Sequence, residues 1–149
     1  FLLVLCRDFG VPGDIGIIRA VAQKQCGVGI VNHYYVARML GGVNGTKDKR
    51  LAKKVNVITP SPAHVNVSAG GLAKYAKNKT EGIKLIEYLA SPKGSRGLAG
   101  PTYEHPLVGF NKSEEVAQFG SFQPDSVTIS ELGRFNKKAI SLMTESGWD

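Results

Sequence analysis

Residues 27–40 read GVGIVNHYYVARML, and the adjacent pair at its middle, Tyr34 and Tyr35, decides how the surrounding chain is read. Val28–Val31 is short and apolar, which predicts a buried strand. Val36–Leu40 has helical character and stops at Gly41-Gly42. The two phenols therefore stand at a strand-to-helix junction. Successive helical residues point about 100° apart, given roughly 3.6 residues per turn, so neighbouring phenols converge only where the backbone is still turning into the helix. At that end the free N–H groups and the helix dipole favour negative charge. A free phenol titrates near pKa ~10, and a bound cation reverses its preference for the proton. Fe(III) is the common biological ion acidic enough to make two phenolates near neutral pH. Packing of the two rings with their hydroxyls hydrogen-bonded is the other reading of the pair.

The composition is that of a globular chain. Of 149 residues, 42% are hydrophobic and 21% charged, and no tract is of low complexity, which predicts nominally one domain. No apolar run reaches the roughly 20 residues of a membrane helix. The opening Phe1–Leu5 is too short for a signal-peptide core and has no basic leader. There is no initiator Met, so the chain reads as a piece of something longer. Net charge is +7, with Lys47, Lys49, Arg50, Lys53 and Lys54 as the densest group. No aromatic residues interleave with that cluster, as a single-strand nucleic-acid platform requires, so no nucleic-acid partner is expected. A positive field of this size still draws anionic ligands toward a cleft. Cys6 and Cys26 show no metal spacing and no CxxC pattern, and whether they form a bridge is left open.

Elements alternate along the chain. Asp14 is placed to cap a helix running to about Gln25, with Ile15, Ile18, Val21 and Ala22 at helical spacing. Lys47–Lys54 predicts a short polar helix. Thr59-Pro60-Ser61-Pro62 is a rigid extended break. His64–Ser68 alternates with period two, as a strand with one buried face does. Thr80 is the expected cap of a helix over Glu81–Ala90, and Ser91-Pro92 restarts a short one. Ser113 begins another, and Asn136–Glu145 is expected to be the last. Gly147-Trp148 reads as a buried end. Strands alternating with helices predict a layered α/β protein, in which ligands gather at the carboxyl ends of strands.

Several of these segments together resemble one family. GVGIVNHYYVARML is similar to the ligand-bearing segment of periplasmic ferric-iron-binding proteins of ABC importers, close to the cyanobacterial type. HVNVSAGGLAKYAKN at 64–78, EGIKLIEYLASPKGS at 81–95, YEHPLVGF at 103–110, FGSFQPDSVTISELG at 119–133 and the closing GW at 147–148 follow in the family's order. The resemblance implies an α/β, two-lobed periplasmic binding protein (type II) fold, with the first half missing. It implies metal ligation by Tyr34 and Tyr35, and an anion-binding role for Asn32, two places before the pair. It implies Fe(III) as the bound ion, with a synergistic anion, delivery to an ABC permease in the inner membrane, a periplasmic location, and a monomer at full length. No enzyme is expected. By the same resemblance, residues 1–58 belong to the second lobe and carry the Tyr pair. Residues 59–110 form a hinge strand and a segment returning to the first lobe, and residues 111–149 the C-terminal helices.

The departures from the family bear on this reading. Members are roughly twice as long, and the opening FLLVLCRDFG differs from the usual pattern. Arg7 before Pro12-Gly13-Asp14 only roughly matches a basic residue of some relatives. His33 reads as hydrogen-bonded packing, His105 as a solvated turn residue, and Tyr75, Tyr88 and Tyr103 as packing groups. Apolar helix faces are expected to be left uncovered in so short a piece. Two other functions compete with iron capture. One is a binding protein for another small ion or solute, such as sulfate, phosphate or a polyamine, with the Tyr pair packing or hydrogen-bonding. The second is an enzyme using Cys26 with His33, or Ser68 with His64, though neither pair stands in a recognised motif.

Overall fold

The computed structural model describes residues 12–147, which carry seven helices. Arg7, Cys6 and Trp148 lie outside the described residues. Two units are formed. One comprises residues up to Ile58 together with Val67–Ser121; the other comprises Thr59–Asn66 together with residues from Phe122 on.

The first unit is built on α1 (Gly13–Ala22), α2 (His33–Leu40) and α3 (Thr46–Ala52). Ile18 on α1, Val36 and Met39 on α2 and Ala52 on α3 form its buried core, and Ile15, Val31, Tyr35, Leu40, Val55, Val57 and Phe119 pack around them. Ile15 and Ile18 lie on one side of α1 because positions three apart share a helix face. Met39 is fully buried, and its transfer from water contributes about 2–3 kcal/mol. A second cluster, Ala20 and Cys26 with Ile17 and Val21, closes the other side of α1. Cys26 is buried and disulfide-bonded.

A charged pair crosses this apolar packing. Asp48 on α3 is only 2% exposed, yet it sits in the lysine-rich segment read above as a short polar helix. Arg19 on α1 donates to it twice, from Nε to Oδ1 at 2.9 Å and from Nη2 to Oδ2 at 2.7 Å. This two-pronged geometry is the strong form of the contact. The guanidinium holds the Asp48 carboxyl below the usual carboxylate range, against the opposing effect of burial.

Two further helices, α4 (Lys79–Ala90) and α5 (Pro92–Thr102), meet at Ser91. The Ser91 hydroxyl accepts from the Gly94 amide at 3.1 Å and donates to the Tyr88 carbonyl at 2.6 Å. With Pro92 at the first helical position, the two helices join without a longer loop. Gly94 is required there, because a Cβ would collide with the Tyr88 carbonyl. α4 starts after Asn78, two residues before the expected Thr80 cap, and without a side-chain cap. The short α6 (Glu114–Ala117) is capped by Ser113, as expected.

The second unit holds α7 (Ile129–Glu145), which begins seven residues before the expected Asn136. Its start is a capping box: Thr128 accepts from the Glu131 amide, and the Glu131 side chain accepts from the Thr128 amide. Between described residues, β-pairing is confined to one parallel bridge, Ala63 with Pro124. The two runs expected as strands, Val28–Val31 and His64–Ser68, are not paired as ladders with other described residues, and Ile30 is 69% exposed. Alternation marks a run suited to burying one face; a ladder also needs a neighbouring edge, which local pattern does not supply. Ile129, Leu132, Phe135, Ile140, Leu142 and Met143 of α7 are all exposed, in line with the expected uncovered faces. Tyr75, expected to pack, is 85% exposed, and Tyr88 is also exposed.

Arg19→Ala leaves the Asp48 carboxylate buried and unpaired, and is expected to destabilise the first unit by about 1–3 kcal/mol. The contribution of the pair to stability also has a definite pH dependence. A carboxyl held low in the folded state stabilises above its unfolded pKa, and that stability is lost as pH falls through the lower folded value. Urea denaturation of the chain and the variant at neutral pH and below pH ~4 checks both, the gap narrowing in acid. A gap that does not depend on pH contradicts the assignment.

Candidate metal centre

Tyr34 and Tyr35 occupy the second and third positions of α2, after the extended Asn32 that precedes the helix. The Tyr35 amide donates to the Asn32 carbonyl at 3.2 Å, closing the first turn. Asn32 makes no side-chain cap of its own helix. Its backbone amide instead donates to Asp14 Oδ1 at 2.7 Å, and its side-chain amide reaches the same oxygen at 3.4 Å. Asp14, read from sequence as the cap of α1, does not cap it: α1 starts after Pro12 without a side-chain cap, and Asp14, in its first turn, accepts instead from the residue that opens α2.

The two phenol rings lie 4.5 Å apart between centroids, tilted by 37°. Tyr35 packs partly against the core, while Tyr34 is half-buried beside it. The Tyr34 phenol is pushed up to about 12, first by its hydrogen bond with Tyr35, then by burial and by the charges of Tyr35, Asp14 and Glu104. Without a cation, then, Tyr34 is held as neutral phenol. Oxygen donors crowd this point: two phenols, with the Asp14 and Glu104 carboxylates close enough to act on Tyr34 electrostatically. Among the described residues no three His, Cys, Asp or Glu come together to hold a metal. Any metal seat here depends on the tyrosines.

Histidines frame the pair. His33 faces the Tyr103 carbonyl through Nε2 at 3.1 Å, the hydrogen-bonded packing expected of it. His105, read from sequence as a solvated turn residue, is instead half-buried and stacked on His33, with centroids 4.9 Å apart and planes 16° from parallel. The sequence signal for this was thin, a Tyr-Glu-His-Pro run whose partner lies 72 positions away (105 − 33). Burial lowers the pKa of both imidazoles, and the neighbouring His33 lowers that of His105 further. The residues paired above as catalytic candidates are engaged differently. Ser68 donates to Glu104 Oε2 at 2.8 Å, His64 lies 3.7 Å from Asp125, and the disulfide leaves Cys26 without a nucleophilic thiol.

Comparison with known proteins then identifies the setting. No family model matches the chain. Iron uptake protein A1 of Synechocystis is 34% identical over 140 residues, covering 91% of this chain and 39% of that protein. A Trichodesmium protein (IdiA, FutA) solved in complex with iron and citrate superposes with a TM-score of 0.83 at 37% identity, over 92% of this chain and 45% of that one. A Bordetella ferric binding protein superposes with a TM-score of 0.80 at 31% identity, over the same shares. The chain is homologous to ferric-iron-binding proteins. These homologues are two-lobed periplasmic binding proteins, and the fold described above is part of theirs. They are transport proteins rather than enzymes. The chain spans about two-fifths of the length of the curated homologues it matches.

Spectrophotometric titration of the metal-free chain should show one of its tyrosines ionising near pH 12 rather than near ~10. Tyr35→Phe removes the leading cause, the hydrogen bond, and should bring that ionisation back toward the ordinary value. Identical titration of the chain and the variant contradicts this arrangement of the pair.

Proposed function

We propose that this chain carries the tyrosine ligands of a ferric-iron-binding protein, and that the phenolates of Tyr34 and Tyr35 hold Fe(III) for delivery to an ABC permease. The observation that carries the reading is the pair of phenols converging at the start of α2, 4.5 Å apart between ring centroids, in a chain homologous to iron-uptake proteins. Anionic oxygen is the donor type a hard trivalent ion selects, in the way carboxylate and carbonyl oxygens suit other hard cations.

The chemistry follows from the charges around the site. In the metal-free state Tyr34 is held neutral first by its hydrogen bond with Tyr35 and by burial, with the Asp14 and Glu104 carboxylates adding to the effect. A trivalent cation reverses that balance, because the same carboxylates then stabilise the cation rather than oppose the phenolate. Binding therefore releases protons and weakens in acid. The dipole at the start of α2 favours an anion beside the metal. Asn32 is the residue we assign to that anion, its side chain now turned toward Asp14. Two phenolates do not fill the coordination sphere of iron; the anion and groups from the rest of a two-lobed protein complete it, with residues 1–58 in the second lobe and 59–110 returning to the first. The periplasm is the compartment this role requires, and a monomer the state in which the whole protein works.

A second reading draws on the same raised phenol. A neutral Tyr34 is a hydrogen-bond donor, suited to sulfate, phosphate or an organic anion without a metal.

Titration with Fe(III)-citrate, followed in the visible range, separates the two readings. The chain should develop a phenolate-to-iron charge-transfer band, and the Tyr34→Phe/Tyr35→Phe double variant should show none. Binding of an anion without colour supports the second reading, and a band that survives in the double variant removes the tyrosines as ligands.

A further inference from the structure

Besides Asp14, the loop of residues 103–111 holds the first turn of α2 from outside. Tyr103 ends α5 in a left-handed conformation, φ 62°, that side chains other than glycine rarely adopt. Such a residue costs on the order of 1 kcal/mol and persists only where its surroundings over-determine it. Here the turn places both ends of Tyr103 on α2. Its carbonyl meets His33 Nε2 at 3.1 Å at the start of the helix. Its hydroxyl lies over Gly41 at the helix end, where a Cβ would collide with it.

The rest of the loop is pinned by Asn111. Its side-chain amide donates to the carbonyls of Ala99 and Glu104, each at 2.9 Å, and its Oδ1 accepts from the Ser113 amide at 2.9 Å. Its backbone amide donates to His105 Nδ1 at 3.1 Å. That bond makes Nδ1 an acceptor, so the neutral ring carries its proton on Nε2. His105 is thereby fixed in plane and lies flat on His33, while Phe110 meets its edge at 5.2 Å and Phe119 meets the edge of His33 at 6.3 Å. His33 is the residue immediately before Tyr34.

We propose that Asn111 and His105 are positioning residues for the tyrosine pair: Asn111 fixes the His105 ring, and its stack on His33 sets the orientation of the first turn of α2 that presents Tyr34 and Tyr35. The proposal rests on the reading of those tyrosines as the binding residues. Groups that orient a ligand without touching the metal commonly govern affinity by about 10- to 100-fold, because a donor misplaced by a fraction of an ångström no longer converges.

The test uses the 149-residue chain joined to a solubility partner, with His105→Ala, His105→Phe and Asn111→Ser variants. Amide hydrogen exchange over residues 33–37 is read without metal, and Fe(III) affinity by citrate competition. His105→Ala should speed exchange in that turn while α1 and α3 stay protected, and should weaken Fe(III) by about 10- to 100-fold. His105→Phe keeps a ring on His33 and should recover most of both. Unchanged exchange and affinity in His105→Ala overturn the proposal, as does a Phe variant no better than Ala. If His105→Ala also exposes α1 and α3, Asn111→Ser decides by the same readouts, since it removes the side-chain bonds and keeps the backbone donor to His105. No charge-transfer band in the unaltered chain would overturn the iron reading alone, and exchange then decides the positioning role by itself.

Discussion

The hydrogen bond that Asp14 Oδ1 accepts from the Asn32 amide, 2.7 Å long, is the constraint on which the site depends. It joins the first turn of α1 to the residue that opens α2, and so fixes where the second helix begins. The same carboxylate is also a charge. It occupies the end of α2 where the helix dipole favours an anion, and from there it helps keep Tyr34 protonated.

One carboxylate thus does two jobs that conflict until a cation is bound. Metal-free, Tyr34 shares a hydrogen bond with Tyr35 and resists ionisation. With a trivalent ion between the oxygens, the surrounding negative charge becomes favourable. On the proposed reading, capture would select ions acidic enough to take both phenolic protons, and acid would reverse it. The scaffold contributes rigidity: the Arg19 and Asp48 pair ties α1 to α3, and the Met39 core ties both to α2.

Much of this was legible in the residues. Asn32-His33-Tyr34-Tyr35 between an apolar run and a helical one located the pair at a helix start, and α1 to α6 fall close to where periodicity and capping put them. What was missed has a common cause, long-range contact. Asp48 sits among lysines and reads as solvated; only Arg19, 29 positions away, explains its burial. Asp14 looked like a cap and serves a different helix. His105 looked like a turn residue because its stacking partner is remote in the chain. The early start of α7 differs, since Thr128 and Glu131 spell a capping box locally. The runs 28–31 and 64–68 form no ladder with other described residues, because a local apolar or alternating pattern leaves the neighbouring edge unspecified.

The claim that both phenols become iron ligands is tested most directly by resonance Raman spectroscopy of the Fe(III)-loaded chain, excited in its visible band. Phenolate ring vibrations should be enhanced in the unaltered chain, weakened in Tyr34→Phe and in Tyr35→Phe separately, and lost when both are replaced. Enhancement that is absent, or that one of the single replacements leaves untouched, would contradict ligation by the pair.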